Sequence, residues 1–247
     1  MHNVLMRAAN ATRYFGGLLA NDNINIEIVK GKTHAVLGPN GAGKSTLINL
    51  LSGDLMCSSG SVFFGNSDIT SLPPAARSRL GIGRSYQKTN IFPEFSVLEN
   101  CRLAAQSRDQ RTTAIFSNAM MHRDYLESAE RAIFDAGLSG YESRMAGKLS
   151  HGEQRQLELA IVLSTKPTVL LLDEPLAGMG SEESMTMIDL LRKLALSHGI
   201  LMVEHDMDAV FAIADVITVM VNGTVLMTDT PEAVKASAEV QQAYFGH

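Results

Sequence analysis

The chain has 247 residues, of which 45% are hydrophobic and 19% charged, and carries a formal net charge of −5. That length suits one large α/β domain or two small lobes around a substantial core, and the acidic balance weighs against a nucleic-acid partner, which calls for a basic face. Two cysteines, Cys57 and Cys101, lie far apart without metal-ligand company, so neither a disulfide framework nor a zinc site is expected, in keeping with a reducing cytosol.

No apolar run approaches the ~18 residues of a membrane span, and the first residues lack a leader pattern, so any membrane role is expected to pass through a partner. From Val4 to Val29 the pattern is strand-like, and Asn23 through Ile28 alternate polar and apolar as a half-buried strand does. Tyr14 and Phe15 precede the Gly16-Gly17 turn; either ring can stack on a purine, and simple packing is the commoner fate of such a side chain.

After the turn Lys30-Gly31-Lys32 comes an apolar strand, Ala35-Val36-Leu37, and then Gly38-Pro39-Asn40-Gly41-Ala42-Gly43-Lys44-Ser45-Thr46. This fits the phosphate-binding loop G-x-x-x-x-G-K-[ST] in its required setting, between a strand and a helix that starts with Leu47 and stops near Gly53. Glycines let the backbone turn tightly and aim N–H groups inward, so that loop and helix start together form a nest for phosphate. Lys44 is placed to reach the β- and γ-phosphates and the Ser45 hydroxyl to ligand Mg²⁺.

Gly60 to Gly65 reads as a strand and turn, Leu72-Pro73-Pro74 opens a helix, and Gly81 to Gln87 is a short strand-like piece. From Ser96 to about Lys148 the pattern is helical, with Met121, Tyr125, Leu126, Ala129, Ala132, Ile133 and Ala136 on one stripe ahead of Gly137; the stretch from Arg108 to Asn118 is the least determined. Ser150 then caps an amphipathic helix, and the same helix start is able to hold a second phosphate. Thr168 through Leu172 has the continuous apolarity of a strand buried on both faces, and it delivers Asp173 and Glu174. Two carboxylates leaving a buried strand are costly without a task, and Mg²⁺ with a water nucleophile supplies one. Ser181 is expected to cap the next helix, which Gly199 ends. Ile200 to Val203 is another strand, leading to Glu204-His205-Asp206, where ligands gather in a parallel α/β sheet. Asn222-Gly223 marks a hairpin between two final strands, before a short helical tail.

In this order the parts resemble the nucleotide-binding subunit of ATP-binding-cassette transporters, over essentially the whole chain. The phosphate loop, Ser150-His151-Gly152-Glu153-Gln154 as signature turn, Val169 through Glu174 and His205 carry the likeness. It implies an α/β fold: a P-loop NTPase (RecA-like) core with an antiparallel β subdomain, residues 1–95 and 149–247, and a helical insert subdomain, residues 96–148. It also implies ATP and Mg²⁺, with Gly38 through Thr46 (Gly38, Pro39, Asn40, Gly41, Ala42, Gly43, Lys44, Ser45, Thr46) around the phosphates and Phe15 against adenine. Ser45, Gln87 and Asp173 would serve the metal, Glu174 would be the general base, and His205 and Gln87 would position the attack on the γ-phosphate beside Lys44. Ser150, Gly152 and Glu153 would face ATP held by a second ATPase subunit, so the resemblance implies a dimer.

Within the family, Ala177-Gly178-Met179-Gly180, Glu204-His205-Asp206-Met207 and the end soon after Thr230-Pro231-Glu232 look like ATPases of branched-chain amino-acid-type importers. The implied partners are integral membrane permease subunits and a periplasmic or surface solute-binding protein, with no nucleic acid; the implied place is the cytoplasmic face of the cell membrane. A lipid or polysaccharide exporter ATPase, and a soluble ATPase acting on ribosomes or DNA, remain alternatives. Two positions depart from the family pattern: His151 replaces a glycine in the signature turn, and Gly180 stands where an amide or carboxylate side chain is usual.

Overall fold

The structure is a computed structural model that describes residues 3–86, 90–108 and 123–245. Gln87, Met121 and residues 109–118 of the helical stretch, all singled out from the sequence, lie outside the described residues.

The first two strands, β1 (Val4–Phe15) and β2 (Leu18–Val29), form an antiparallel hairpin, with β4 (Ser59–Phe64) on the other edge of β1 and the short β5 (Ser67–Asp68) beyond it. Alternation decides what β2 buries: Ile24, Ile26 and Ile28 face inward while Asn23, Asn25 and Glu27 face solvent. The second sheet has the order β10-β9-β3-β8-β7-β6. Its members are β3 (Thr33–Leu37), β6 (Ile82–Arg84), β7 (Val169–Asp173), β8 (Gly199–Val203), β9 (Val216–Val221) and β10 (Thr224–Asp229). All neighbours pair in parallel except β9 and β10. Asn222 and Gly223 take left-handed φ values of 49° and 81° between those two, as a type I′ hairpin turn requires.

Every residue of β3, β7 and β8 is buried, and the two-residue repeat splits their side chains between two cores. Val36, Leu171 and Leu201 pack with Ile24, Ile28 and α1 (Lys44–Ser52) under the antiparallel sheet. Leu37, Leu172 and Met202 face the opposite side, where the helices α3 (Val97–Gln106), α4 (Arg123–Asp135) and α5 (His151–Ser164) bury Cys101, Ile133 and Leu157. The remaining α-helices among the described residues are α2 (Pro74–Leu80), α6 (Ser181–Ala195), α7 (Met207–Ile213), α8 (Pro231–Ala236) and α9 (Ala238–Phe245).

One helix start differs from expectation. Ser181 is the first residue of α6 and does not cap it; the cap position is Gly180. Glycine has no side chain to accept an N–H, so the polar contact at this helix start comes from the third helical residue, Glu183, which accepts from the Gly180 N–H at 3.3 Å.

Candidate functional site

The sheet delivers the polar residues to one end. β3 runs into residues 38–43, and the chain re-enters helix at Lys44 through Gly43, whose φ of 97° only glycine adopts readily. No side chain caps α1. The N–H groups of its first turn, Lys44, Ser45 and Thr46, therefore point out of the helix without intrahelical acceptors, which makes an anion site. Neighbouring backbone dictates two of the loop's glycines: a Cβ on Gly38 would lie 2.3 Å from the Met220 carbonyl oxygen and one on Gly43 2.5 Å from that of Ala20, whereas Gly41 has open space around it.

The Lys44 ammonium donates to the carbonyls of Gly38 at 2.6 Å and Pro39 at 3.1 Å, folded back on its own loop. Burial lowers its pKa, and the nearby carboxylates of Glu174 and Asp173 act in the opposite direction. Phe15, Leu18, Ala20, Asn40, Ser45 and Glu174 are among the residues lining the cleft over this loop. Phe15 sits at the mouth, half-exposed, with the Arg13 guanidinium 4.7 Å from its ring centre. Tyr14 is exposed too, but it does not line the cleft.

β7 ends on Asp173, which is buried, and the chain then turns sharply at Glu174, whose φ is 49°. A left-handed conformation is costly for a residue with a Cβ, and such strain gathers where a side chain must be aimed. Here it turns the Glu174 carboxylate toward the phosphate-loop cleft while the Glu174 N–H stays bonded to the Val203 carbonyl of β8 at 2.9 Å. Burial raises the pKa of Asp173, with Arg84 and Lys44 working against that shift and Glu174 adding to it. At the end of β8, the His205 ring nitrogen Nδ1 lies 3.8 Å from the Glu174 carboxylate. His205 is mostly exposed.

Ser150 caps α5 as expected: its hydroxyl accepts from the Glu153 N–H at 3.2 Å and the Glu153 carboxylate accepts from the Ser150 N–H at 2.7 Å, a complete capping box. The Gly152 N–H donates to the Glu183 carboxylate at 3.3 Å. Ser150, Gly152 and Glu153 line a cleft that shares no residue with the one over the phosphate loop. The fold thus brings Lys44, Ser45, Asp173, Glu174 and His205 to one end of the sheet and leaves Ser150, Gly152 and Glu153 in a separate place.

Residues 21–177 match the family model described as ABC transporter, well over half the chain. The chain belongs to the ABC transporter family. The high-affinity branched-chain amino acid transport ATP-binding protein LivG of Escherichia coli is 35% identical over 241 residues, covering 94% of this chain and 94% of that protein. BraF of Pseudomonas aeruginosa, of the same description, is 34% identical over 254 residues, with coverages of 100% and 99%. Among solved structures, a nucleotide-free ATP-binding cassette from an ABC transporter matches with a TM-score of 0.88 at 30% identity, over 99% of this chain and 100% of that one. A cassette in its ADP conformation matches at 0.87 and 31% identity, over 99% of each chain. The protein is an ABC ATPase, a nucleotide-binding cassette of mixed α/β fold.

Three residues of this ABC cassette carry contacts that sequence patterns did not single out. Glu204, buried at the end of β8, accepts the Leu176 N–H at 2.9 Å and the His205 N–H at 3.1 Å, so it holds the turn after Glu174 and the base of His205 together. Burial raises its pKa, and both N–H bonds oppose the shift. Its position after an apolar strand, like that of Asp173, was the available signal. Glu183 joins the signature turn to Gly180 at the start of its own helix, and Arg84 reaches toward Asp173; the long-range contacts, Glu183 with Gly152 and Arg84 with Asp173, have no local sequence cue because the partners come from other elements.

Proposed function

We propose that this ABC ATPase powers the import of a branched-chain amino acid or a related small solute, working as a dimer of ATPase subunits against integral membrane permease subunits. The observation that carries the reading is the gathering of Lys44, Ser45, Asp173, Glu174 and His205 at one end of the parallel sheet, with the signature turn set apart from them. A nucleotide on the phosphate loop then lacks the signature contacts of its own chain, and a second subunit must supply Ser150, Gly152 and Glu153. The relatives' descriptions as branched-chain amino acid transport proteins support the substrate class. No described helix is long and apolar enough to cross a membrane, which suits a subunit held at the inner face of the cell membrane by the permease, with a solute-binding protein on the far side.

The residues present fit Mg²⁺. The described residues contain no cluster of three or more His, Cys, Asp or Glu side chains able to enclose a metal; they offer the Ser45 hydroxyl and the buried Asp173 carboxylate. So few hard oxygen ligands suit an ion that keeps its waters and leans on phosphate oxygens. Mg²⁺ there would neutralise phosphate charge as the terminal group departs. Ser45 and Asp173 would hold it, and the family resemblance adds Gln87, which lies outside the described residues. Lys44 exchanges its two carbonyl partners for phosphate oxygens, and Phe15 offers its ring to the base. Glu174 takes the proton of the attacking water, and His205, steadied through Glu204, bonds the γ-phosphate. Loss of the γ-phosphate contacts lets the two subunits part, and the region around Gln87 and the helical subdomain, residues 96–148, passes that movement to the permease.

Co-reconstitution with its permease in vesicles tests the reading: uptake of leucine, isoleucine or valine must require ATP inside and vanish with Glu174→Gln. Uptake that survives this substitution would overturn it.

A further inference from the structure

Arg84, the last residue of β6, lies next to β7 and takes no part in the chemistry described above. Its guanidinium is shared between two carboxylates. Nη1 donates to the Asp54 carboxylate and to the Ser52 hydroxyl, the latter at 2.5 Å. Nη2 stands 3.7 Å from Oδ2 of Asp173, beyond hydrogen-bond length but well within ionic reach. Arg84 and Asp173 are both about nine-tenths buried, at 10% and 9% exposed, so water screens the pair weakly. Tyr86 covers the guanidinium with its ring, 4.6 Å away. The backbone of the same segment also holds Asp173 in place: the Ser85 N–H donates to the Leu171 carbonyl at 3.0 Å, and the Ser85 hydroxyl accepts from the Asp173 N–H at 3.3 Å.

Asp54 is the firmer partner. It lies just past the end of α1, where it also accepts the Ser52 hydroxyl at 2.5 Å. The helix that begins at the phosphate loop therefore ends on the group that draws Arg84 away from Asp173. A cation arriving at Asp173 would meet a carboxylate that already faces Arg84, and two positive charges would compete for it.

We propose that Arg84 is a positioning residue whose charge is divided between Asp54 and Asp173, and that this division sets the free Mg²⁺ concentration at which the cassette binds nucleotide. The proposal rests on Asp173 being the magnesium carboxylate. Removing Arg84 leaves Asp173 more open to the metal. Removing the Asp54 charge hands Arg84 wholly to Asp173 and closes it. The two substitutions break the same ion pair yet act on the metal in opposite directions.

The test uses the full chain and trinitrophenyl-ATP fluorescence at fixed nucleotide, titrated with Mg²⁺, for the wild type, Arg84→Gln, Asp54→Asn and Asp173→Asn; no turnover is read. Arg84→Gln is expected to lower the Mg²⁺ midpoint about threefold to fivefold and Asp54→Asn to raise it by a similar factor, the scale of a partly screened ion pair. Asp173→Asn is expected to raise it by more than either. A purely structural Arg84 would lower the melting temperature in both ion-pair variants and move neither midpoint, or move both the same way; with Asp173→Asn shifted, that result overturns the proposal alone. An unmoved midpoint in Asp173→Asn overturns the magnesium assignment, and the proposal with it. Should Arg84→Gln fail to fold, Asp54→Asn decides by itself: an unchanged or lowered midpoint overturns the proposal.

Discussion

Helices α1 and α5 both start where a nucleotide phosphate is expected, and they start in opposite ways. α1 enters through a left-handed glycine with no side-chain cap, whereas α5 enters through Ser150 inside a complete capping box. In α1 the first-turn N–H groups are left for an anion, and the helix is secured by what lies behind them: Leu47, Ile48, Leu50 and Leu51 are fully buried. Beyond its other end, the buried guanidinium of Arg77 collects the carbonyls of Leu50 and Leu51 at 2.7 and 2.8 Å. In α5 the N–H groups of Ser150, Gly152 and Glu153 already have carboxylate or hydroxyl partners within the chain. The first start is open to a ligand. At the second, a ligand must displace partners of similar chemistry, so binding there is an exchange and its net gain is smaller.

The substitutions that bear on this contrast differ in size. Largest is Glu174→Gln, which should reduce steady-state ATP hydrolysis by about 10²–10⁴ through loss of the proton acceptor while leaving ATP bound and the subunits held together. Near-normal phosphate release by that variant would remove Glu174 from the role of base. Next is Lys44→Ala, expected to weaken ATP binding by roughly 10-fold to 100-fold, the size of a charge-assisted hydrogen bond, in a calorimetric titration. Unchanged affinity would mean that the open helix start binds phosphate through backbone alone. Ser150→Ala should leave ATP affinity of the single subunit unchanged, lower stability by about 1 kcal/mol through loss of the cap, and depress hydrolysis only where subunits pair. A drop in single-subunit affinity would erase the distinction between the two starts.

The smallest effect concerns pH. Glu204 has a folded pKa raised by burial, so its contribution to stability is complete below the unfolded carboxyl value and is lost as pH rises through the folded one. Glu204→Gln, which cannot ionise, should therefore gain on the wild type in urea midpoint as pH rises from the unfolded carboxyl value into the neutral window. A difference that stays constant across that window would show that the carboxyl does not change charge there.

Much of this contrast was legible in the chain. The sequence Gly38 through Ser45 announces an anion site because its chemistry is local: glycines, a lysine and a helix start within a few residues. Ser150 and Glu153 announce a capping box for the same reason. The continuous apolar runs of β3, β7 and β8 could be recognised as buried parallel strands because both faces of those strands are covered. Ser181 misled, since a serine before an apolar stripe looks like a cap wherever the helix begins, and the cap position falls one residue earlier, at Gly180, with Ser181 already in the helix. The short α7 carried too few turns to stand out. Arg84 was illegible because its partners come near only in the folded chain; Glu183 and Glu204 each have one partner close in sequence, Gly180 and His205, while their other partners, Gly152 and Leu176, are brought near by the fold. Arg84 meets Asp54 and Asp173 only because the fold sets β6 beside β7 and the end of α1 close by.

The crowding around the phosphate-loop glycines has a genetic consequence. A side chain on Gly38 runs into the Met220 carbonyl and one on Gly43 into that of Ala20, before any nucleotide is involved. Random alleles at those two codons should behave as folding lesions, with low protein levels and partial recovery at reduced growth temperature. Alleles at Gly41 meet no neighbour and bear only the strain of a φ of 81°. They should accumulate to nearly normal levels and fail, if they fail, at the ligand.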